Sequence, residues 1–430
     1  MTHRLQSYLG YSYPAQLAEF VKREWPEQAR KAQPSDVHLR QLLDAAYHAS
    51  LLREEQRPVT FRLLFGGPDE LPVDAGPPTG LLPIKLDRPR PFNEQEVRRI
   101  SVAADFFRSL IAVSADPDNE LRIWGILVSG TRWVNQVDGG RFIDGILPLR
   151  LVVQAPAPGR LTVCLGQQRI AALTGGRMQG LAFDLFQSQW LVDAFANVRK
   201  NALRSFFDKT SGYPPVPPNS DFMRVMSQNV LRRALSVVRN SKHGGTLVFI
   251  EPEEEAELKR ENGPLRFKYR IADTGARTRY QALLRQAVIR LQELVHQEKL
   301  REISWAEYQR VPDEELNRLD EAFFEFAHFL ADLMAVDGAL VVTKRMELVG
   351  FGAELRAEAP GLASVRRALD VEATLWAKEA LDDVGTRHRA VYRLCEEHSN
   401  CVAIVISQDA AVRFVKNHNG AVTYWNQLSW

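Results

Sequence analysis

The run Gly385-Thr386-Arg387-His388-Arg389 sets two guanidiniums around an imidazole directly after a glycine. Val391, Leu394 and Cys395, which follow, share one helical face, so the basic residues fall at or just inside a helix N-terminus. Unpaired backbone N–H groups and the positive end of the helix dipole favour anions there. Gly385 allows close approach of the backbone, and Thr386 offers a hydroxyl suited to a cap or to a phosphate oxygen. The forked donors of Arg387 and Arg389 match phosphate geometry. This is polyphosphate chemistry. The same five residues also suit a solvated helix face, and a second feature is needed to separate the two readings.

Asp337-Gly338-Ala339 is that feature. A stretch rich in Phe, Leu and Ala, with helical spacing, ends near Val336, and the strand-like run ALVV follows. A carboxylate at such a junction can ligate a divalent cation or hold a ribose hydroxyl. Asp-Gly by itself is equally a turn signal.

Taken together, the two words resemble the diadenylate cyclase (DAC) domain family, in which an Asp-Gly-Ala motif precedes a Gly-Thr-Arg-His-Arg motif by a few tens of residues. The surroundings are similar too. His243-Gly244-Gly245-Thr246-Leu247-Val248-Phe249-Ile250 resembles the family's opening Gly-rich strand, and Val405-Ile406-Ser407-Gln408-Asp409 its closing one. The resemblance runs from about Asp221 to the C-terminus. It implies condensation of two ATP molecules into cyclic di-AMP and two pyrophosphates, each 3′-hydroxyl attacking the other nucleotide's α-phosphate. It implies Asp337, Gly338 and Ala339 as the catalytic group, with Asp337 and Asp409 on a Mg²⁺ or Mn²⁺ ion. Gly385, Thr386, Arg387, His388, Arg389 and Ser407 would hold the phosphates, and Phe351 with Gly352 would border adenine. Two such domains must meet face to face, so the implied active unit is a homodimeric encounter or a higher homo-oligomer.

Composition fits an enzyme of this kind without demanding it. At 430 residues the chain is long enough for two or three domains. A net charge of +2 argues against a global field for nucleic acid or an anionic membrane. A nucleic-acid scaffold built on the Arg-rich stretch near Thr278–Leu300, or a nucleotide-binding regulator without turnover, are the competing classes. Three cysteines, Cys164, Cys395 and Cys401, suggest a reducing compartment with no disulfide framework. No signal peptide and no bilayer-length apolar run is apparent, so the expectation is a cytoplasmic protein with no membrane contact.

The expected fold class is α/β: a C-terminal mixed sheet surrounded by helices, preceded by a smaller α+β domain. Residues 1–211 form the N-terminal part, weakly resembling sensor domains fused to some cyclases, with an unreadable ligand. Residues 212–219 (GYPPVPPN) read as a Pro-rich linker, and 220–430 as the catalytic-type domain, interrupted by a helical insertion at about 251–319. In the N-terminal part, helices are expected up to about Arg57, a Pro/Gly-rich connector over 66–91, and a helix capped by Asn93 that reaches Leu110. A small antiparallel sheet is expected over 120–178, and a helix over 189–207. Arg122, Arg132 and Arg141 suit surface charges and ligand groups equally. The stretch from Ala363 to Val384 reads as helical or partly irregular.

Overall fold

The computed structural model describes residues 11–71, 76–77, 80–130, 140–141, 149–166, 168–180, 184–207, 216–219, 221–241, 243–408 and 411–427. The chain is a mixed α/β protein of two compact units, an N-terminal one and a C-terminal sheet-plus-helix one. The first takes in Met1–Asp138 and Phe142–Ala182; the second takes in Gly139–Arg141 and Phe183–Leu428.

In the first unit, helices α1 (Pro14–Glu24) and α2 (Asp36–Leu51) lie over a sheet. The α2 face of Leu39, Leu42, Leu43 and Ala46 is wholly buried, as its spacing predicts, and Ser35 caps the helix by accepting from the His38 N–H at 3.2 Å. The strands are β1 (Phe61–Phe65), β2 (Leu82–Pro91), β3 (Ser109–Ala115), β4 (Leu121–Val128), β5 (Leu151–Ala157), β6 (Arg160–Leu165), β7 (Gln168–Thr174) and β8 (Arg177–Gly180). Their order is β8-β7-β6-β5-β1-β3-β4-β2.

Three expectations change here. The sheet is mixed, because β1 and β3 run parallel. The expected connector contains β2, whose prolines are tolerated at the sheet's edge, where half of the backbone N–H groups face away from the ladder. The helix begun by Asn93, α3 (Glu94–Ser101), stops before Leu110. Asp105 ends it: its carboxylate accepts from the Phe107 N–H at 3.0 Å and its carbonyl from the Ser109 N–H at 2.9 Å, turning the chain into β3.

The second unit contains α4 (Gln189–Ala194), α5 (Ala196–Phe207), α6 (Phe222–Ser241), α7 (Arg279–His296), α8 (Glu314–Ala335) and α9 (Thr386–Glu397). Its strands are β9 (Gly245–Ile250), β10 (Leu265–Arg270), β11 (Ala339–Thr343), β12 (Leu348–Leu355), β13 (Ser364–Ala368), β14 (Trp376–Ala380), β15 (Val402–Ile406), β16 (Val412–His418) and β17 (Ala421–Gln427). They form one sheet in the order β10-β12-β11-β9-β15-β16-β17-β13-β14. Residues of β9 alternate between two cores. Leu247 and Phe249 pack with α6, α7 and α8, while Val248 and Ile250 pack on the α9 side with Val391 and Leu394. A strand buried on both faces must be apolar throughout, which is why GTLVFI, ALVVT and VAIVI read as continuous runs.

The division between units falls at Ala182/Phe183 and not at 212–219. Leu185, Phe186, Trp190 and Leu191 bury into the second unit's core, and the Trp190 ring stacks on Trp425 at 4.2 Å. Apolar packing outweighs the proline signal, and residues 212–215 of the expected linker lie outside the described ones. The insertion at 251–319 is not purely helical either: it supplies β10, an edge strand of the sheet. Ala363–Val384 carries the hairpin β13–β14 in place of a helix. The Asp370 carboxylate accepts from the N–H groups of Glu372, Thr374 and Leu375, and that ring of contacts sets the hairpin's turn.

Arg141 is neither a surface charge nor a ligand group. It is 3% exposed and donates to the Tyr308 and Val311 carbonyls and, at 3.1 Å, to the Asn317 side chain. Arg122 pairs with Asp116 at 2.8 Å, and Arg132 lies outside the described residues. All three cysteines are free and buried. Among the described residues, no helix is long and apolar enough to cross a membrane.

Candidate functional site

Three segments converge at one end of the second unit's sheet. β9 and β11 are parallel and begin there, and β15, antiparallel to β9, ends there. Asp337 follows the last residues of α8, where Val336 turns extended, and Ala339 opens β11. The Asp337 side chain is 91% exposed; among the described residues it is held by Lys268 of β10 alone, whose ammonium stands 3.3 Å from both its carboxylate and its carbonyl.

Gly338 is dictated by geometry. Its φ is +115°, and a Cβ there would lie 2.5 Å from the Gly352 carbonyl carbon and 2.8 Å from the Ala353 nitrogen. Gly352 itself has φ +61° and sits where the β11–β12 register shifts. The two backbones touch, leaving the Asp337 carboxylate over open space.

Opposite stands α9. Gly385 is its N-cap, in extended conformation, with no side-chain cap and no acidic residue in the first turn. The Thr386 and Arg387 N–H groups therefore have no preceding-turn carbonyl to bond, whereas the Arg389 N–H donates to the Gly385 carbonyl at 3.1 Å. The Arg387 guanidinium reaches 3.5 Å from the Ile406 carbonyl. Gly244 (φ +71°) makes room for it, since a Cβ there would lie 2.7 Å from Arg387 Nη1.

The groups from the two distant motifs line one cleft of about 790 Å³, within the range of small-molecule sites. Asp337, Gly338, Ala339, Gly352, Thr386 and Arg387 are among its walls. Not every expected residue is brought there. Phe351 stacks on Tyr269 at 4.8 Å and packs against the core beneath α7 and α8, so it lines no part of this cleft. Gly385, His388 and Arg389 lie in or beside the first turn of α9 without lining it; the His388 ring is 6.2 Å from Tyr392. The Ser407 hydroxyl donates to the Ala411 carbonyl at 3.1 Å. Asp409 lies outside the described residues. Among the described residues, no group of three or more His, Cys, Asp or Glu side chains is assembled to hold a metal.

The cleft also contains Thr246, part of the opening strand but given no role there, and three residues that no motif announces, Arg266, Lys268 and Glu354. Arg266 and Lys268 belong to the insertion, and their alternation with Leu265 and Phe267 was the available signal for a strand.

Residues 28–128 match the model of a family described as a probable sensor domain, DACNV. The match lies wholly within the first unit. No curated protein matches the chain. A solved structure, described as a hypothetical membrane spanning protein from Bacillus cereus, is 14% identical and covers 55% of this chain and 92% of its own, with a TM-score of 0.21. A superposition at that score does not establish a shared fold.

Proposed function

We propose that the second unit is a diadenylate cyclase and that the first unit regulates it as a sensor. The observation that carries this reading is that Asp337 and Arg387, distant in sequence, wall one cleft of nucleotide size. The DACNV match supports it, because that sensor type is associated with diadenylate cyclases.

In this reading the triphosphate of ATP lies against the N-terminus of α9. The first-turn N–H groups, the Thr386 hydroxyl and Arg387 take its oxygens, a pre-oriented set of donors that needs no reorganisation as charge develops. Gly338 and Gly352 let the sugar approach the backbone closely. Asp337 is a hard, exposed carboxylate that fits Mg²⁺ or Mn²⁺ shared with substrate phosphates, a mode that needs only one or two protein carboxylates. Such an ion would polarise the α-phosphate and lower the pKa of the attacking hydroxyl. The exposed Lys268 pair, worth at most about 1 kcal/mol, would yield to a divalent cation. Two reciprocal 3′-hydroxyl attacks, each releasing one pyrophosphate, need two facing clefts, so the active species would be a two-fold homodimer or larger assembly.

One observation favours a second reading, a nucleotide-binding regulator without turnover: Lys268 already sets a positive charge beside Asp337, where a metal would sit. Incubating the full chain with ATP and Mn²⁺ over a range of protein concentrations, with chromatographic detection of cyclic di-AMP and pyrophosphate, separates the two. The cyclase reading expects product with a rate per protomer that rises with concentration. ATP binding with no product at any concentration would leave only the regulator.

A further inference from the structure

Thr246 is the second residue of β9, flanked on both sides by paired strands, with Val405 opposite it on β15. It is 2% exposed, yet it lines the same cleft as Thr386 and Arg387. Its hydroxyl is shut from solvent and has no hydrogen-bond partner among the described residues. Buried hydroxyls are rarely left unpaired, and valine would fill the same volume in a strand at no such cost. An orphan hydroxyl in the wall of a cleft therefore points to a partner that arrives with the ligand.

Its surroundings say which ligand atom. The N-terminus of α9 and the Arg387 guanidinium line the same cleft, and among the described residues the contact that holds Arg387 is one of 3.5 Å to the Ile406 carbonyl. Gly244, two residues before Thr246, leaves open the space that brings Arg387 over the start of β9. Both groups are donors suited to an anion, and a hydroxyl beside them completes a three-sided cradle. We propose that Thr246 is a phosphate-binding residue. Rotation about χ1 between staggered wells turns its hydroxyl into the cleft, where it donates to a phosphate oxygen held by Arg387 and the first turn of α9. This rests on the nucleotide reading of the cleft.

The test compares the full chain with its Thr246→Val and Thr246→Ser variants. Calorimetry measures binding of ATP and of inorganic tripolyphosphate, and a melt without ligand measures stability. Thr246→Val should melt at or above the wild-type temperature, because it removes an unpaired polar atom, and should weaken both ligands about tenfold or more. Thr246→Ser should keep both affinities within about twofold. Equal loss for ATP and tripolyphosphate assigns the contact to phosphate. If Thr246→Val binds as tightly as a wild type that does bind, the proposal fails and the cleft reading survives. A large drop in its ligand-free melting temperature would also overturn the proposal, by showing that the hydroxyl has a structural partner. A wild type that binds neither ligand would remove both readings.

Discussion

Asp337→Asn separates chemistry from folding more cleanly than other changes in the cleft. The structure sets its stability cost. The Asp337 side chain is 91% exposed and its one ion pair, to Lys268, spans 3.3 Å with the lysine 54% exposed. Exposed pairs of this kind contribute roughly 0–1 kcal/mol, and asparagine keeps both the side-chain volume and the backbone carbonyl that Lys268 also reaches. The variant should stay within about 0.5 kcal/mol of wild type, a shift of no more than about 2 °C in the melt of a unit this size. In the proposed cyclase reading the catalytic cost is of another order. A carboxylate that ligates the cation supplies charge stabilisation of several kcal/mol, and losing about 3–4 kcal/mol slows turnover roughly a hundredfold to a thousandfold. The assay is the initial rate of cyclic di-AMP formation at saturating ATP and Mn²⁺, beside a thermal melt and metal-free ATP binding, which should be retained. Turnover above a tenth of wild type would refute the metal assignment. A melt lowered by more than about 5 °C would refute the claim that Asp337 has no structural role.

Gly338→Ala, one residue on, should behave in the opposite way. Its Cβ would sit 2.5 Å from the Gly352 carbonyl carbon at φ +115°, backbone against backbone, so a loss of about 2–4 kcal/mol in a denaturant titration is expected, whereas Gly361→Ala, whose Cβ would meet nothing within 4 Å, should be near silent. Asp313 caps α8 by accepting from the Leu316 N–H at 3.0 Å and takes a bidentate pair from Arg290. Burial pushes its carboxyl up, but Arg290 and the Leu316 N–H outweigh burial and hold it below the ordinary value. Its stabilisation is therefore complete above the unfolded carboxyl pKa of about 4 and is lost as pH falls through the lower folded value. Asp313→Ala should cost about 1–2 kcal/mol at pH 7 and less in acid, which melts recorded from pH 7 down to about pH 3 would check.

What was legible in the sequence was local. The helix ending at Val336 with Asp337 just beyond it, and the helix opening at Thr386 after Gly385, stand where spacing puts them, because capping, glycine and apolar period act over a few residues. The central strands were legible because burial on both faces leaves only apolar residues. Edge strands carry no such mark. β2 hides behind prolines, and β13 (SVRRA) and β14 (WAKEA) set apolar residues three or four apart, a spacing that also fits a helix; the Asp370 side chain decides between them through contacts that composition does not record. Phe351 was expected beside a base because the Phe351-Gly352 strand resembles the family segment that borders adenine; Gly352 lines the cleft, but the Phe351 ring turns to Tyr269. Lys268 and Thr246 were missed for one reason: which strands become neighbours is a long-range result of sheet order, and both enter the cleft only once β10 and β9 have found their places.

The insertion bears on function through that same order. β10 pairs with β12 at the sheet's edge, Leu265 opposite Leu355 and Phe267 opposite Ala353, and this register aims Arg266 and Lys268 into the cleft. With Arg387 they make three cationic walls against the two carboxylates of Asp337 and Glu354. The uncapped end of α9 adds partial positive charge. A triphosphate alone would meet Asp337 as a like charge, and a divalent cation alone would meet three like charges. In the cyclase reading the two together would place the cation at Asp337 and the phosphates toward Arg387, Arg266 and Lys268, while Glu354 is already paired with Arg356 at 2.9 Å. On that reading the cleft would favour metal–nucleotide over either component, with Asp337 holding the cation and Lys268, no longer paired to it, available to the phosphates.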